Sequence, residues 1–321
     1  MIFVGLDIGG TKTRCLGIDL ARRRCASCID EGVNPAVVPR ERVLEVVRRC
    51  VSEVLNQLNV DGSMVELVGI GSAGVGKGFW TSLFRDALKE LGIDPNAVFV
   101  FEDYRVLHAS CFLGGDGIAM ISGTGSSVFG KRGEREVKVG GWGHLLDDYG
   151  SAYQVGRDGM EAALRYYDGR GPKTKLLDYL LEYLSIESVE LVIPKVYGAT
   201  NPKQLIAGFA PYVVRAALEG DEVANKIIER CVKEIVIALK ASAERLGFDE
   251  PSICMEGGFW RGARHVIEPL LREELARTFR SYRLVEPSIG TTCAAIVLAL
   301  QASKRSDLVQ HVVELCRTCT E

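Results

Sequence analysis

The chain has 321 residues, of which 47% are hydrophobic, and it is long enough to form two domains with their own cores. Its formal net charge of −3 provides no overall attraction for nucleic acid or for an anionic membrane surface, so we expect neither as a partner. No apolar run approaches the roughly 18 to 20 residues of a membrane span, and the start of the chain lacks the features of a signal peptide. We therefore expect a cytoplasmic protein of ordinary enzyme size.

Strands and helices are predicted to alternate along the chain. Apolar and β-branched residues predict strands at 2–6, 15–20, 67–71, 98–101, 117–121, 128–130 and 252–255. Apolar residues at helical spacing predict the two clearest helices at 41–58 and 221–246. The region 185–211 contains three prolines and is expected to be a lid or an excursion rich in loops. This order favours an α/β architecture.

The first predicted strand leads directly into the sequence GLDIGGTKTR, residues 5–14. Its two adjacent glycines allow a turn that brings backbone N–H groups against an anion, and the hydroxyls of Thr11 and Thr13 add donors. This composition predicts a phosphate-binding turn, although an ordinary hairpin turn is the alternative. Asp7 cannot bind phosphate itself, but a carboxylate beside phosphate suits a cation such as Mg²⁺, held through water.

The same pattern recurs farther along the chain. ISGTGSS, residues 121–127, again places a Gly-Thr pair after an apolar strand. LVGIGSAG, from Leu67, and ICMEGGFW, from Ile253, form a second pair in which an apolar strand runs into a glycine-rich turn. We interpret the two pairs as an internal repeat of two related α/β halves.

Four motifs, in this order over nearly the whole chain, resemble those of the ASKHA sugar kinases: GLDIGGTKTR, ISGTGSS, GGWGHLLDDYGSAY and CMEGGFWRG. The most similar branch is the N-acetylglucosamine kinases of the BadF/BadG/BcrA/BcrD group, which includes archaeal broad-specificity hexokinases. The third motif is the most specific, because no general rule of nucleotide binding requires it. The resemblance implies two ribonuclease H-like α/β domains of the actin, hexokinase and Hsp70 type, facing a cleft. It also implies ATP-dependent phosphorylation of a hydroxyl of a hexose or N-acetylhexosamine.

The resemblance further implies roles for individual residues. Asp7 would lie beside Mg²⁺, and Asp103 would be the base that accepts the proton of the sugar hydroxyl. Glu102 is the rival base, but strand alternation should turn it to the other face. The remaining implied contacts are Gly10, Thr11, Lys12, Gly123, Thr124 and Gly125 for the phosphates of ATP, Gly257 and Gly258 for adenosine, and Asn34, Gly141, Asp148 and Ala152, together with Asp103, for the sugar.

Three residues near the implied sugar site need separate comment. Tyr149 stands where close relatives usually carry an acidic residue, and Gln154 stands where they carry tryptophan. These departures put the identity of the sugar in doubt more than the type of reaction. His144 is not accompanied by the cysteine cluster of zinc-bearing relatives, so we expect it to be structural.

The resemblance also implies a discontinuous first domain. It would comprise residues 1–115 and 304–321, with the second domain at 116–303 and hinges near 114–117 and 302–306. We expect a homodimer.

The ten cysteines include two C-x-x-C pairs, Cys25 with Cys28 and Cys316 with Cys319. They are compatible with disulfides, with a four-thiolate metal site or with unconnected thiols. In the implied domain arrangement the returning chain would bring Cys316 and Cys319 to the domain that contains the first pair.

Two other functions remain to be weighed. The same broad family includes ATPases that activate electron-transfer enzymes, but these hold an iron–sulfur cluster with cysteines around and after the second phosphate turn. This chain has no cysteine from 112 to 230, which disfavours that function. Related sugar-sensing repressors need a helix-turn-helix before the first phosphate turn, and the position of Asp7 leaves no room for one.

Overall fold

The computed structural model describes residues 1–75 and 78–319, and the chain divides into two compact units. Unit 1 comprises Met1–Gly115 and Glu286–Glu321, and unit 2 comprises Asp116–Val285. The chain therefore returns to unit 1 at Glu286, earlier than the predicted residue 304. The segment 302–306, predicted as a hinge, lies within unit 1.

Strands and helices alternate as predicted. The strands are β1 (Ile2–Ile8), β2 (Lys12–Asp19), β3 (Arg24–Glu31), β4 (Val65–Ser72), β5 (Val98–Glu102), β6 (Gly117–Ser122), β7 (Ser126–Arg132), β8 (Arg135–Val139), β9 (Ser252–Glu256) and β10 (Arg283–Val285). The helices are α1 (Arg40–Leu58), α2 (Phe79–Lys89), α3 (Asp103–Phe112), α4 (Ala152–Tyr167), α5 (Leu176–Leu184), α6 (Val192–Tyr197), α7 (Pro202–Ala207), α8 (Ala210–Leu218), α9 (Glu222–Leu246), α10 (Gly258–Thr278), α11 (Thr291–Ala302) and α12 (Val309–Cys316).

Unit 1 is built on a five-stranded sheet in the order β3-β2-β1-β4-β5. The first three strands are antiparallel neighbours, whereas β4 and β5 run parallel to β1. One face packs against α1 and α2, and the other packs against α3, α11 and α12. Because both faces are covered, β1 is apolar along almost its whole length.

Helix α11 explains why the returning chain belongs to unit 1. It crosses β1 and β4 where Gly5 and Gly69 have no side chains. A Cβ atom at Gly5 would lie 2.0 Å from the carbonyl oxygen of Thr292, and one at Gly69 would lie 2.0 Å from that of Ala295. The close approach of helix and sheet depends on these two glycines.

Unit 2 repeats the topology of unit 1. Its sheet has the order β10-β9-β6-β7-β8, with β6, β7 and β8 antiparallel and with β9 and β10 parallel to β6. In each unit the Gly-Thr turn joins the first strand to the second, and the other repeated sequence forms the fourth strand. The predicted internal repeat is confirmed.

The helices of unit 2 build its core around α9, which is 25 residues long. The region 185–211, predicted as a lid or an excursion rich in loops, contains α6, α7 and the start of α8, joined by short turns. Pro202 and Pro211 occupy the first turns of α7 and α8, where a proline costs no intrahelical hydrogen bond. These prolines mark helix starts.

One disulfide connects the returning segment with the first part of unit 1, and a second lies within the returning segment. Cys25 bonds to Cys319, and Cys293 bonds to Cys316, with Cα–Cα distances of 6.0 and 6.3 Å. Cys28, the other half of the first C-x-x-C pair, is free. Since β3 is a strand, Cys25 and Cys28 point to opposite faces and cannot share one metal ion.

Among the helices of the described residues, none is both long enough and apolar enough to cross a membrane.

Candidate functional site

The first Gly-Thr turn, residues 9–12, joins β1 to β2. The N–H of Gly9 donates to the carbonyl oxygen of Lys12 at 3.1 Å, and Gly10, Thr11 and Lys12 are exposed. Gly32 supports the turn from behind, because a Cβ atom there would lie 2.4 Å from the carbonyl carbon of Gly10. The turn thus presents backbone and one hydroxyl group at its exposed side.

Thr13 does not contribute to this exposed surface. It is the second residue of β2, where the antiparallel register pairs it with Ile8, and its side chain is fully buried. Its hydroxyl has no hydrogen-bond partner among the described residues. The prediction that Thr13 adds a donor to the phosphate site is wrong, because the hairpin register turns it toward the core.

Asp7 lies near the end of β1, opposite Arg14 on β2. Its Oδ2 atom is 3.2 Å from Nη1 of Arg14 and accepts a hydrogen bond from the hydroxyl of Thr291 at 2.7 Å. Thr291 is the first residue of α11, so the returning segment helps to orient this carboxylate.

The surroundings of Asp7 suit a hydrated cation better than a closed metal site. Among the described residues, no group of three or more His, Cys, Asp or Glu side chains could hold a metal ion. The Oδ1 atom of Asp7 has no hydrogen-bond partner among the residues that the structure describes. A single carboxylate fits Mg²⁺ that keeps several waters and takes its other ligands from phosphate.

Asp103 lies at the same edge of the sheet as Asp7. The parallel strands β1, β4 and β5 align Asp7 with Gly71 and Phe101, and Asp103 follows two residues later. With one strand between them, the two strand ends are about 10 Å apart. The strand ends at Glu102, and Asp103 is the first residue of α3. Its Oδ1 atom accepts the N–H of Tyr104 at 2.9 Å.

Glu102, the rival carboxylate, forms an ion pair with Arg105 at 3.2 Å. It follows the alternation of Val98 and Val100, which pack into the core on the α1 and α2 face of the sheet. The two neighbouring carboxylates therefore occupy different surroundings.

Asn34 lies beside the first Gly-Thr turn. A Cβ atom at Gly10 would be 4.0 Å from Cβ of Asn34, and one at Gly74 would be 3.2 Å from its Oδ1 atom. That oxygen accepts the N–H of Ala36 at 2.9 Å. Unit 1 thus brings together Asn34 and the turn, which the sequence places more than twenty residues apart.

The second Gly-Thr turn, residues 123–125, lies against the start of α4. The N–H of Gly123 donates to the carbonyl oxygen of Gly125 at 2.9 Å. The N–H groups of Ala152 and Tyr153 donate to the carbonyl oxygens of Gly123 and Thr124 at 2.9 and 3.2 Å. Ala152 therefore supports the turn through its backbone.

Gly257 and Gly258 lie next to the second turn. Gly257 has a φ angle of +122°, and a Cβ atom there would be 2.4 Å from the carbonyl oxygen of Ser122. Gly258 is the first residue of α10. The fold thus brings two glycine motifs into contact from distant parts of unit 2.

Asp148 is a buried carboxylate with a left-handed backbone, φ +66°. Its side chain lies so close to Gly125 that a Cβ atom there would be 2.7 Å from Oδ2. The N–H of Ser126 donates to Oδ1 at 3.4 Å, and Nζ of Lys203 lies 2.8 Å from Oδ2. Asp148 is therefore part of the wall of the second turn.

Gly141 begins the loop that leads to Asp148. Its φ angle is +69°, and a Cβ atom there would be 2.7 Å from Cβ of Ser127 on β7. The ammonium of Lys138 donates to its carbonyl oxygen at 3.1 Å. The ring of His144 packs edge-on against the ring of Tyr153, with ring centroids 5.1 Å apart.

The two unusual residues of this region have different surroundings. Gln154 is buried, where it accepts the N–H of Gly150 at 2.9 Å and donates to Asp158 at 2.9 Å. The carbonyl oxygen of Tyr149 accepts the hydroxyl of Ser126 at 2.5 Å. Gln154 thus links the loop to α4.

Lys203 is absent from the sequence-based set of site residues. It lies in the region predicted as loop, although Asn201 followed by Pro202 is a signal for a helix start. The ion pair with Asp148 joins positions 55 residues apart, which local pattern does not reveal.

Two five-stranded α/β units of the same topology define the hexokinase-like, actin-like class of folds. A ROK family glucokinase from Streptomyces griseus, solved with glucose and AMPPNP, matches this chain with a TM-score of 0.56 at 16% identity. The match covers 99% of this chain and 100% of the glucokinase.

The chain matches the BadF/BadG/BcrA/BcrD ATPase family over residues 4–295, and it belongs to that family. It is 27% identical to an N-acetylmuramic acid/N-acetylglucosamine kinase of Clostridium acetobutylicum, over 92% of this chain and 97% of that protein. It is 28% identical to an N-acetyl-D-glucosamine kinase of Dictyostelium discoideum, over 94% of this chain and 99% of that protein.

Proposed function

We propose that this protein is a sugar kinase, which transfers the terminal phosphoryl group of ATP to a hydroxyl of a hexose or N-acetylhexosamine. The observation that carries the proposal is the edge of the unit 1 sheet where Asp7, the first Gly-Thr turn and Asp103 lie together. Phosphoryl transfer needs positioned phosphates, a cation and a group that accepts the hydroxyl proton. The kinase relatives, similar over more than nine-tenths of the chain, support the same activity.

The nucleotide contacts are assigned to the glycine-rich segments. Backbone N–H groups of the two turns, with the Thr11 and Thr124 hydroxyls, would donate to phosphate oxygens. Gly10, Lys12, Gly123 and Gly125 complete the two phosphate turns, and Gly257 and Gly258 would pack against adenosine. Glycine suits these positions because a bare backbone allows close approach to the ligand.

Asp7 would hold Mg²⁺ through its bound waters. Arg14 and Thr291 fix one carboxylate oxygen, which leaves the other in a defined orientation. When bound, the cation would neutralise charge on the phosphates.

Asp103 would accept the proton of the sugar hydroxyl, a contribution of about 10²- to 10⁴-fold in rate. Its hydrogen bond from Tyr104 anchors one carboxylate oxygen at the helix start. Asn34, Gly141, Asp148 and Ala152 complete the proposed sugar contacts. N-acetylglucosamine is the first substrate to test, because the names of both curated relatives contain it.

The test measures ADP release by the purified full chain with Mg²⁺ and a panel of hexoses and N-acetylhexosamines. Asp103→Asn should lower sugar-dependent ADP release by about 10²-fold or more, because the amide cannot take the proton. Its affinity for ATP should stay within a few-fold of the wild-type value, and the Asn oxygen can still accept the N–H of Tyr104.

Glu102→Gln is the matched control, because it neutralises the neighbouring carboxylate and should retain most activity. If Glu102→Gln abolishes turnover while Asp103→Asn stays within about fivefold of wild type, the base is misassigned. If neither variant matters and no sugar raises ATP turnover, the kinase proposal fails.

The cation assignment has a separate test. Asp7→Asn should strongly reduce Mg²⁺-dependent turnover and leave the fold intact, as circular dichroism would show. Unchanged activity across a Mg²⁺ titration would contradict the assignment.

A further inference from the structure

Lys203 forms an ion pair with Asp148 in which the carboxylate is buried and the lysine is partly exposed. Its Nζ atom lies 2.8 Å from Oδ2 of Asp148, and the side chains are 31% and 5% exposed. An ammonium group has three donors. Among the described residues, Asp148 is the only hydrogen-bond partner of this ammonium, so two donors remain for a ligand.

The ion pair is weak evidence for a role in stability. Taking a carboxylate and an ammonium out of water costs about as much as their attraction returns, and apolar pairs often replace such charges without loss. A lysine that Asp148 holds at the rim of a site is better explained by an anion that the ammonium binds.

The position of Lys203 is set by close helix packing. Lys203 is the second residue of α7, whose start is capped by Asn201 through the N–H of Gln204 at 3.0 Å. Gly156 on α4 lacks a side chain where the carbonyl oxygen of Ile206 lies, since a Cβ atom would be 2.0 Å from it. Such packing holds the Lys203 ammonium in place before the ligand binds.

The start of α7 also lies over the second Gly-Thr turn. The hydroxyl of Thr124 donates to Oε1 of Gln204 at 3.4 Å, next to the Lys203 contact with Asp148. Asp148 in turn approaches Gly125 of the same turn. One end of α7 therefore contacts both the proposed phosphate turn and the proposed sugar wall.

We propose that Lys203 binds the terminal phosphoryl group of ATP, with Asp148 positioning its ammonium. The proposal rests on the proposed kinase function, because the terminal group is the one that must lie between the phosphate turn and the sugar. A lysine supplies a point charge to the phosphoryl oxygens, where charge is spread during transfer.

The test is equilibrium binding of nucleotides by calorimetry, with Mg²⁺ and without sugar. Lys203→Met should weaken binding of a non-hydrolysable ATP analogue by about tenfold to a hundredfold, as expected for one lost charge-assisted contact. Binding of ADP, which lacks the terminal group, should change by less than about threefold. Lys203→Arg should retain most of the affinity for the analogue.

Two controls separate direct contact from an indirect effect. Lys195→Met changes an exposed lysine on the neighbouring helix α6 and should alter neither affinity. Lys203→Met should weaken binding of the analogue less in an Asp148→Asn background than in the wild type, because Asp148 positions the ammonium. Lys203→Gln, with the same expected result, serves if the methionine variant does not fold.

Equal weakening of the analogue and ADP, or no weakening of either, would overturn the proposal. An undiminished effect in the Asp148→Asn background would show that Asp148 does not position the ammonium, which also overturns the proposal. Because these measurements contain no sugar, they stay informative even if no sugar is phosphorylated and the kinase proposal itself fails.

Discussion

Replacing Cys25 and Cys319 by alanine removes the bond that ties β3 to the end of the chain. This disulfide spans 294 residues, whereas the bond between Cys293 and Cys316 spans 23. The chain-entropy relation assigns about 5.7 kcal/mol to the 294-residue loop and about 3.4 kcal/mol to the 23-residue loop. The longer bond should therefore contribute about 2 kcal/mol more to the free energy of unfolding.

The comparison uses two double variants, Cys25→Ala/Cys319→Ala and Cys293→Ala/Cys316→Ala. Each is unfolded in urea with and without a reductant. The difference between the two losses compares the retained disulfides, because all other cysteines are the same in both variants. Trp80 is the tryptophan of unit 1, and its fluorescence in a Trp142→Phe/Trp260→Phe background reports on that unit.

The reductant should destabilise the second variant more than the first, because the second retains the 294-residue loop. Equal losses, or the reverse order, would refute the argument from loop length. Thiol titration of the denatured, unreduced wild type should find no more than six of the ten cysteines free, since four lie in these two bonds. A higher count would show that the bonds do not form.

Three further predictions concern packing, capping and pH. Gly69→Ala should destabilise the protein by about 3 kcal/mol in urea unfolding, since its Cβ atom would lie 2.0 Å from a carbonyl oxygen of α11. Gly262→Ala is the matched control: with no atom within 4 Å, it should stabilise α10 by about 0.5 to 1 kcal/mol, and a loss would contradict the packing argument. Asp221→Ala should cost about 2 kcal/mol, because Asp221 caps α9 through two N–H groups; an unchanged urea midpoint would exclude this role. The Tyr179 hydroxyl and nearby cations lower the pKa of Glu219 to about 2, so the stability it contributes is fully present above its usual pKa of 4.5 and is lost as the pH falls toward 2. Glu219→Gln should flatten the pH dependence of the thermal midpoint in that range, and an unchanged profile would contradict the assignment.

The sequence alone determines the features that depend on neighbouring residues. Periodic apolar residues predict the strands of both sheets that carry the repeat, and they predict α1 and α9. The two Gly-Thr turns are also local, because a glycine pair after an apolar strand favours a tight turn wherever the strand lies. The repeat made the shared topology of the two units predictable.

The direction in which each side chain points could be assigned only from the register of the paired strands. Thr13 and Asp7 both belong to the GLDIGGTKTR motif, yet the hairpin turns Thr13 to the core and Asp7 to Arg14. The C-x-x-C spacing suggests shared chemistry, but a strand points Cys25 and Cys28 to opposite faces. The residue types in a motif do not by themselves show which face of the sheet each side chain occupies.

Only the tertiary structure decided which distant residues meet. Cys25 bonds to Cys319, and Asp148 pairs with Lys203, because helix and sheet packing brings together positions that no periodicity connects. The helices within 185–211 were missed because proline ends a helix in its interior but is tolerated in its first turn. Local pattern thus determined the two turns and their strands, whereas the partners of each side chain followed from long-range packing, which is a property of the whole fold.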